Sequence, residues 1–459
     1  MDALIVVFVT GLITMFIAMV KKPVLVLVTA LTGLSTAIAL LAVQLNHHHP
    51  INLVKYEGLE FDGITIVYSM LALIFGLLII AGGYDYFKRE PEHTGEYISL
   101  ILFSLVGAMC MIGFTDLFMF FLGLEIMSIP IYVLAGSKKK DILSTEASVK
   151  YFFTGAFATG ILLFGIAWLY GATGSFQIAE IANAIGDGRA SGSMLSVGIL
   201  LIMASFLFKI GAAPFHFWSP DVYSGSPNIV TGFMAAVVKL AGMFAFMKMF
   251  AFVFGEASQI WVSAIYVLAI VTMFVGNLSA LRQTKFKRIL AYSSISNAGY
   301  ALLALMVVKG DFLSHLKNIE YLWFYLLGYG FAVIALIVIS LTITNESDDL
   351  EGFRGVGRKN PVVGIIAALG LLSLAGVPPL AGFFGKYMVF SHAFKQYPEL
   401  VIVAIVNSGI GIYYYLKMLM TFLASDQSGE TPTPKPTMLQ YCVLIACAIG
   451  LIAGPFVFI

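Results

Sequence analysis

The sequence predicts an all-α polytopic membrane protein. It has about fourteen transmembrane helices, two inverted five-helix repeats over spans 4–8 and 9–13, and broken helices at spans 7 and 12. Three observations carry that prediction. Of 459 residues, 60% are hydrophobic and only 11% charged, with a mean hydropathy of +0.94; a chain of this length could not hide so much apolar surface in water. Apolar stretches of the roughly 20 residues that a bilayer crossing needs recur from end to end. Two of them are interrupted at mid-span by Gly and Pro, and their prolines, Pro214 and Pro378, lie 164 residues apart.

In order, the spans are expected at 3–20, 24–45, 62–83, 97–113, 115–136, 148–172, 195–218, 227–254, 259–281, 288–308, 319–343, 361–391, 399–423 and 438–458. The first, "MDALIVVFVTGLITMFIAMV", has no basic leader and no small-residue cleavage site, so it reads as a span and not as a cleaved signal. Spans 1–3 make an N-terminal segment, residues 1–96. Spans 4–8 make a first five-helix unit, residues 97–255, whose seventh span contains "KIGAAPFHFW". Spans 9–13, residues 256–424, make a second, with "LAGVPPLAGFFGK" in span 12. Spans 4 and 9 begin 162 residues apart, close to the proline spacing. Five crossings are an odd number, so the second copy is inverted in the membrane. Inverted repeats with paired broken helices are the pattern of transporter cores, with the pathway at the breaks. Residues 425–459 supply the last span. The longest connections, near 47–61, 173–194 and 344–360, are too short for a water-soluble domain.

Orientation follows from the basic residues of the connections. Those after odd-numbered spans hold fifteen Lys and Arg, those after even-numbered spans five, and six lie within spans. Odd-numbered connections are therefore expected in the cytoplasm and both termini outside. The net charge of +1 gives no reason to expect a nucleic-acid partner, and Cys110, Cys442 and Cys447 make neither a metal nor an iron–sulfur spacing.

Ionisable groups at mid-bilayer are costly and mark function by default. Glu125 stands at the centre of span 5 in "FFLGLEIMSIPIY", Lys209 in span 7 and Lys239 in span 8, against the alternative of a static buried ion pair. Asp116 and Glu320 lie at span ends and read as interfacial. Lys386 follows the span 12 break and reads either as a relay group or as a lysine snorkelling to the surface. Lys150 opens span 6, where a solvated and a functional lysine look alike. Lys248 and Lys417 sit near span ends and read as snorkelling. His216, two residues after Pro214, suits either proton transfer or the satisfaction of loosened backbone. A Lys–Glu pair in low dielectric holds one proton as a unit, and a break beside it admits water. Glu125 and Lys209 are therefore expected to form a proton switch without redox parts.

The stretches "GLEIMSIPIYVLAG", "FKIGAAPFHFWSPDVYSGSP", "KRILAYSSISNAGY" and "LAGVPPLAGFFGKYMVF" resemble the antiporter-like membrane subunits of respiratory complex I, bacterial NADH–quinone oxidoreductase, and the resemblance covers the whole chain. The chain stops at span 14, without the long lateral helix of subunit L, and has Lys386 where subunit M usually has glutamate. The resemblance implies a proton relay. Glu125 would partner Lys209, Lys239 would pass the proton on, Lys386 would stand near the outward exit, and Lys150 matches a lysine at the start of span 6. Asn297 departs from relatives with histidine there and cannot titrate, so the connection from Lys239 to Lys386 would need water or Tyr300. The resemblance further implies a bacterial inner-membrane subunit with subunits M and K as neighbours. NADH, flavin, iron–sulfur clusters and quinone would be held in partner subunits, with no cofactor in this chain. A subunit of a multisubunit cation/proton antiporter, which shares the fold, is the alternative; an idle scaffold would gain nothing from its central charges.

Overall fold

The structure is a computed structural model and describes residues 1–459 except 47–55, 90–92, 308–311, 344–347, 426–432 and 458–459. Lys55 and Lys309, two of the basic residues used for orientation, lie outside the described residues. The helices that cross the bundle are α1 (Asp2–Ala18), α2 (Pro23–Asn46), α3 (Gly63–Gly82), α4 (Thr94–Gly113), α5 (Leu117–Ala135) and α6 (Ile142–Thr173). They continue with α7 (Ser193–Ile210), its short sequel α8 (Trp218–Gly225), α9 (Asn228–Val253), α10 (Ser258–Leu281), α11 (Phe286–Met306) and α12 (Phe312–Leu341). After these come α13 (Pro361–Ala375), α14 (Ala381–Phe394), α15 (Pro398–Leu423) and α16 (Met438–Ala453). Among the described residues twelve helices are long and apolar enough to cross a membrane, and α1 and α13 are shorter apolar helices. Together these match the expected spans in order.

Local chemistry sets many of the ends. Asp62, Asp116, Asp141 and Asn360 accept the backbone N–H groups of Thr65, Met119, Leu143 and Val363, capping α3, α5, α6 and α13. Asp116, expected at the interface, is thus a buried N-cap; Glu320 is exposed. Thr437 and Gln440 form a reciprocal capping box on α16. The stretch expected as a loop at 173–194 contains a nine-residue helix, Ile178–Gly186, because Ile181, Ala184 and Ile185 share one face and bury it.

Burial does not follow hydropathy. The most enclosed helices are α9, buried over its central stretch, and α11 and α12, nearly so, whereas α2, α6, α10, α15 and α16 form the rim. Yet α11 is the least apolar of the twelve long helices, with mean hydropathy 1.4. Lipid tails give no hydrophobic drive for helices to associate, so polar side chains turn inward and small residues allow close approach. Gly107 on α4 lies so near α5 that a Cβ would meet the Met127 nitrogen at 2.2 Å, and Gly276 on α10 meets the Ser296 nitrogen of α11 at 2.4 Å. Large apolar residues such as Phe157, Tyr413 and Met420 face outward.

Both expected breaks are present, at 211–217 and 376–380, and each opens on a left-handed glycine, Gly211 (φ 71°) and Gly376 (φ 82°). Each also contains one cis peptide, Ala213–Pro214 and Pro378–Pro379. The α9 helix winds wider, π-helical, at Met234–Val238 and Lys248–Val253, so that Lys239 follows one such stretch and Lys248 begins the other.

Candidate functional site

Three of the lysines singled out in the sequence are enclosed in the bundle: Lys209 (5% exposed), Lys239 (4%) and Lys386 (7%); a fourth buried lysine, Lys287 (8%), lies near the start of α11 and donates to the Ser226 carbonyl at 2.9 Å. Lys209 ends α7, and its Nζ donates to Ser128 Oγ on α5 at 2.5 Å. Ser128 Oγ in turn donates to the Leu124 carbonyl. The ring of Tyr151, from α6, lies 6.0 Å from the same ammonium.

Glu125 is on α5 one turn before Ser128, half-buried, and its Oε1 accepts from Thr159 Oγ1 of α6 at 2.6 Å. The expected direct Glu125–Lys209 pair is not formed. Residues three apart on a helix share a face about one turn apart, and the lysine reaches the nearer acceptor while the carboxylate turns to α6. Glu125 can still act on the ammonium through its charge, because a charge in a protein is screened less than in water.

Lys239 Nζ donates to the carbonyl of Ser294 and to its Oγ, the latter at 2.5 Å, and lies 5.5 Å from the Tyr329 ring. Lys386 starts from the half-helix after the second break and reaches back across it. Its Nζ donates to the Leu374 carbonyl at 2.8 Å and the Ala375 carbonyl at 3.4 Å, the unpaired C-terminal end of α13, and to Ser408 Oγ at 3.2 Å. Those carbonyls carry the negative end of the helix dipole, which favours a cation. The Tyr300 ring lies 5.2 Å away. At the first break an indole takes the analogous place, with Trp218 Nε1 donating to the Phe208 carbonyl at 3.0 Å.

Between Lys239 and Lys386 lies a hydroxyl-rich strip that sequence reasoning missed. Asn297 donates to the Ser293 carbonyl (2.8 Å) and to Tyr415 Oη (3.2 Å), and accepts from Tyr325 Oη at 2.7 Å. Ser293 Oγ and Tyr415 Oη share a hydrogen bond of 2.5 Å. A small cavity lined by Asn297, Tyr325, Tyr329, Ser373 and Lys386 opens beside it. Tyr300 is held elsewhere, accepting from Asn277 Nδ2 at 2.9 Å. Only the "SSISN" run of α11 hinted at this strip, and its tyrosine partners come from helices distant in sequence.

The remaining candidates sit apart. Lys150 is 41% exposed and bridges Glu146 (2.6 Å) and Asp221 (2.7 Å). His216 is half-buried inside the first break, with Nδ1 lacking a hydrogen-bond partner and its ring 4.6 Å from that of Phe217. Lys248, expected to snorkel, donates to the carbonyl of Phe114, just past the end of α4, at 2.6 Å. Lys417 is exposed. Among the described residues no group of three His, Cys, Asp or Glu side chains could hold a metal ion.

The family model described as NADH:quinone oxidoreductase/Mrp antiporter, TM, matches residues 115–411, from α5 through α15. The chain belongs to this family. Within it, the NADH-quinone oxidoreductase subunit N of Cytophaga hutchinsonii is 38% identical over 403 residues, covering 85% of this chain and 86% of that one. The subunit N of Trichlorobacter lovleyi is 40% identical over 404 residues, 87% and 82% respectively. A chain of respiratory complex I from Thermus thermophilus, solved with bound aureothin, superposes with TM-score 0.84 at 30% identity over 100% of this chain and 98% of that one. A chain of the Mrp complex from Dietzia sp. DQ12-45-1b shares the fold at TM-score 0.84 and 19% identity, over 100% and 95%.

Proposed function

We propose that this chain is a proton-translocating membrane-arm subunit of a bacterial NADH–quinone oxidoreductase, moving protons outward while quinone is reduced in other subunits. The observation that carries this reading is the row of enclosed lysines, Lys209, Lys239 and Lys386, each held by neutral oxygens and none in an ion pair among the described residues. Uncompensated charge inside a bundle is expensive unless it is used.

In this reading the proton on Lys209 is held by Ser128 and by the field of Glu125 one turn away, and withdrawing that field releases it. Lys239 receives it; the side chain of Lys209 already lies against α9, its Cγ 3.7 Å from where a Cβ on Gly242 would stand. From Ser294 the path crosses α11 along Ser293, Tyr415, Asn297 and Tyr325 to the cavity at Lys386. Tyr300, committed to Asn277, is off that line. The two breaks belong to inverted five-helix units, 97–255 and 256–424, and Lys386 stands on the outward side. The basic bias of the connections supports cytoplasmic odd-numbered connections and outward termini. NADH, flavin, iron–sulfur clusters and quinone are assigned to partner subunits, with the subunits called M and K as neighbours in the membrane arm of the complex.

The cation/proton antiporter reading shares the fold, but the relatives at 38% and 40% identity bear the oxidoreductase name, against 19% for the Mrp chain. The test is Lys209→Ala in the assembled complex, with NADH-driven proton uptake measured in inverted membrane vesicles. Uptake per NADH oxidised falls; full uptake with the complex intact refutes the role.

A further inference from the structure

The first break is fastened by an ion cluster that the relay does not use. Asp221, on α8, spends its two carboxylate oxygens separately. Oδ2 accepts from Lys150 of α6 at 2.7 Å, and Oδ1 accepts from Arg288 of α11 at 3.1 Å. The three side chains are between 32% and 41% exposed, so the cluster faces water at one end of the bundle. Ion pairs this exposed are weak and open readily.

The next residue after Lys150 fastens α8 a second time. The Tyr151 ring stacks on Trp218, the first residue of α8, at 4.6 Å and 9°, and that same ring covers the Lys209 ammonium. Trp218 is tied at its other end to the Phe208 carbonyl, one residue before Lys209. A displacement of α8 therefore moves Trp218 and, through the stack, disturbs the Tyr151 ring that lies over Lys209. The Arg288 leg reaches further, because α11 carries both Arg288 and Ser294, the acceptor of Lys239.

We propose that Asp221 is a positioning residue that gates water access to Lys209. The Lys150–Asp221–Arg288 clamp seats α8, and its opening draws Trp218 off Tyr151 and frees that ring to leave the ammonium. Lys150 then acts through the clamp and not as a proton carrier. Through Arg288, motion of α11 around Lys239 is transmitted to the entrance at Lys209. This rests on Lys209 being the proton site.

The test reads access, not pumping. Lys209→Cys is introduced together with Cys442→Ser, which removes the exposed native thiol; Cys110 and Cys447 are buried. In vesicles containing the whole complex, the labelling rate of residue 209 by a small charged thiol reagent is followed by mass spectrometry of its peptide. An exposed pair typically shifts an equilibrium by a factor of about 1.5 to 5, so Asp221→Asn, which weakens both legs, speeds labelling by roughly 2- to 25-fold. Lys150→Gln and Arg288→Gln each give a smaller increase, and Asp221→Glu restores the slow rate. Equal rates in all these backgrounds, with the complex assembled, overturn the gate. So does a rise with Lys150→Gln that Asp221→Asn fails to reproduce. Should Asp221→Asn prevent assembly, the single-leg variants decide alone. Lys209→Cys abolishes pumping in every background, so the gate can fail here while the relay stands, and the relay can fail in Lys209→Ala while labelling still follows the clamp.

Discussion

Gly376→Ala isolates what the second break does for Lys386. An L-residue held in the left-handed region costs ~1–2 kcal/mol, and Gly376 sits there at φ 82°. Gly174, the C-cap of α6, sits at φ 75° with nothing within 4 Å of an added Cβ, so Gly174→Ala meets the backbone cost alone. At Gly376 the new Cβ stands 3.2 Å from Lys386 Cδ and 3.4 Å from its Nζ. The lysine has to give, yet its ammonium is anchored to the Leu374 carbonyl at 2.8 Å. A hydrogen bond made by a charged group contributes ~1.5–3 kcal/mol, which converts to a factor of about 10 to 150 in the population of the seated ammonium. Proton uptake per NADH oxidised, compared in vesicles with equal amounts of assembled complex, should be near the parent's for Gly174→Ala. For Gly376→Ala it should fall to about a tenth or less. Indistinguishable uptake by the two variants would show that Lys386 does not depend on the α13 carbonyls, and the argument for that seat would collapse.

Tyr325→Phe strips the donor from the buried Asn297 Oδ1, costs ~1–3 kcal/mol of stability, and should depress proton uptake more than Tyr300→Phe, after which Asn277 still bonds the Asn407 carbonyl; the reverse order would move the path to Tyr300. Trp218→Phe keeps the ring on Tyr151 and leaves the Phe208 carbonyl its bond from the Gly211 nitrogen. It should cost only ~0.5–1.5 kcal/mol, against ~3–5 for Trp218→Ala, in thermal unfolding of the solubilised complex; equal losses would refute the stacking account. Asp348, in the connection between α12 and α13, accepts from the Lys287 nitrogen and Ser224 Oγ, and burial holds its carboxyl above the ordinary value despite the opposing pull of Lys287. A raised carboxyl favours the protonated native state, so its contribution to stability is full below the unfolded value and lost as pH rises through the folded one. Asp348→Asn should therefore gain stability relative to the parent as pH rises from acid to neutral, and a constant difference in melting temperature across that range would contradict this.

The parts legible in the sequence were those with a one-dimensional signature. Fourteen apolar runs, the Gly–Pro interruptions near Pro214 and Pro378, and three lysines in apolar surroundings all survive as helices, breaks and enclosed ammoniums. The contacts of those lysines were not legible, because a long side chain on one helix chooses among acceptors spaced a turn apart on another. Glu125 and Ser128 are equally plausible from span 5, and only the relative height of α5 and α7 selects the serine. Asp221 lay in the quoted "SPDVYSGSP" without a role, since its partners Lys150 and Arg288 are 71 and 67 residues away. Tyr325 and Tyr415 give no local signal at all; each becomes a polar neighbour of Asn297 only when α12 and α15 pack on α11.

The choice of neutral partners has a chemical consequence for the proposed relay. A carboxylate beside each lysine would fix the ammonium form and hold the charge in place. A serine hydroxyl is both donor and acceptor and rotates to suit. Ser128 accepts from the Lys209 ammonium while donating to the Leu124 carbonyl; when the lysine is neutral, the same hydroxyl can swing round and donate to the amine lone pair. Ser294 offers Lys239 the same option beside its carbonyl. Both forms of these two lysines can therefore find a hydrogen bond from the serine without moving a helix, as the proposed passage of a proton requires. Lys386 differs: two of its three acceptors are backbone carbonyls at a helix C-terminus, which only accept and which favour the cation. In the proposed relay, a proton on Lys386 therefore sits on acceptors most of which cannot turn to meet the neutral amine. Release there calls for a change at the α13–α14 break itself, where Gly376 sets how closely the ammonium approaches the carbonyls.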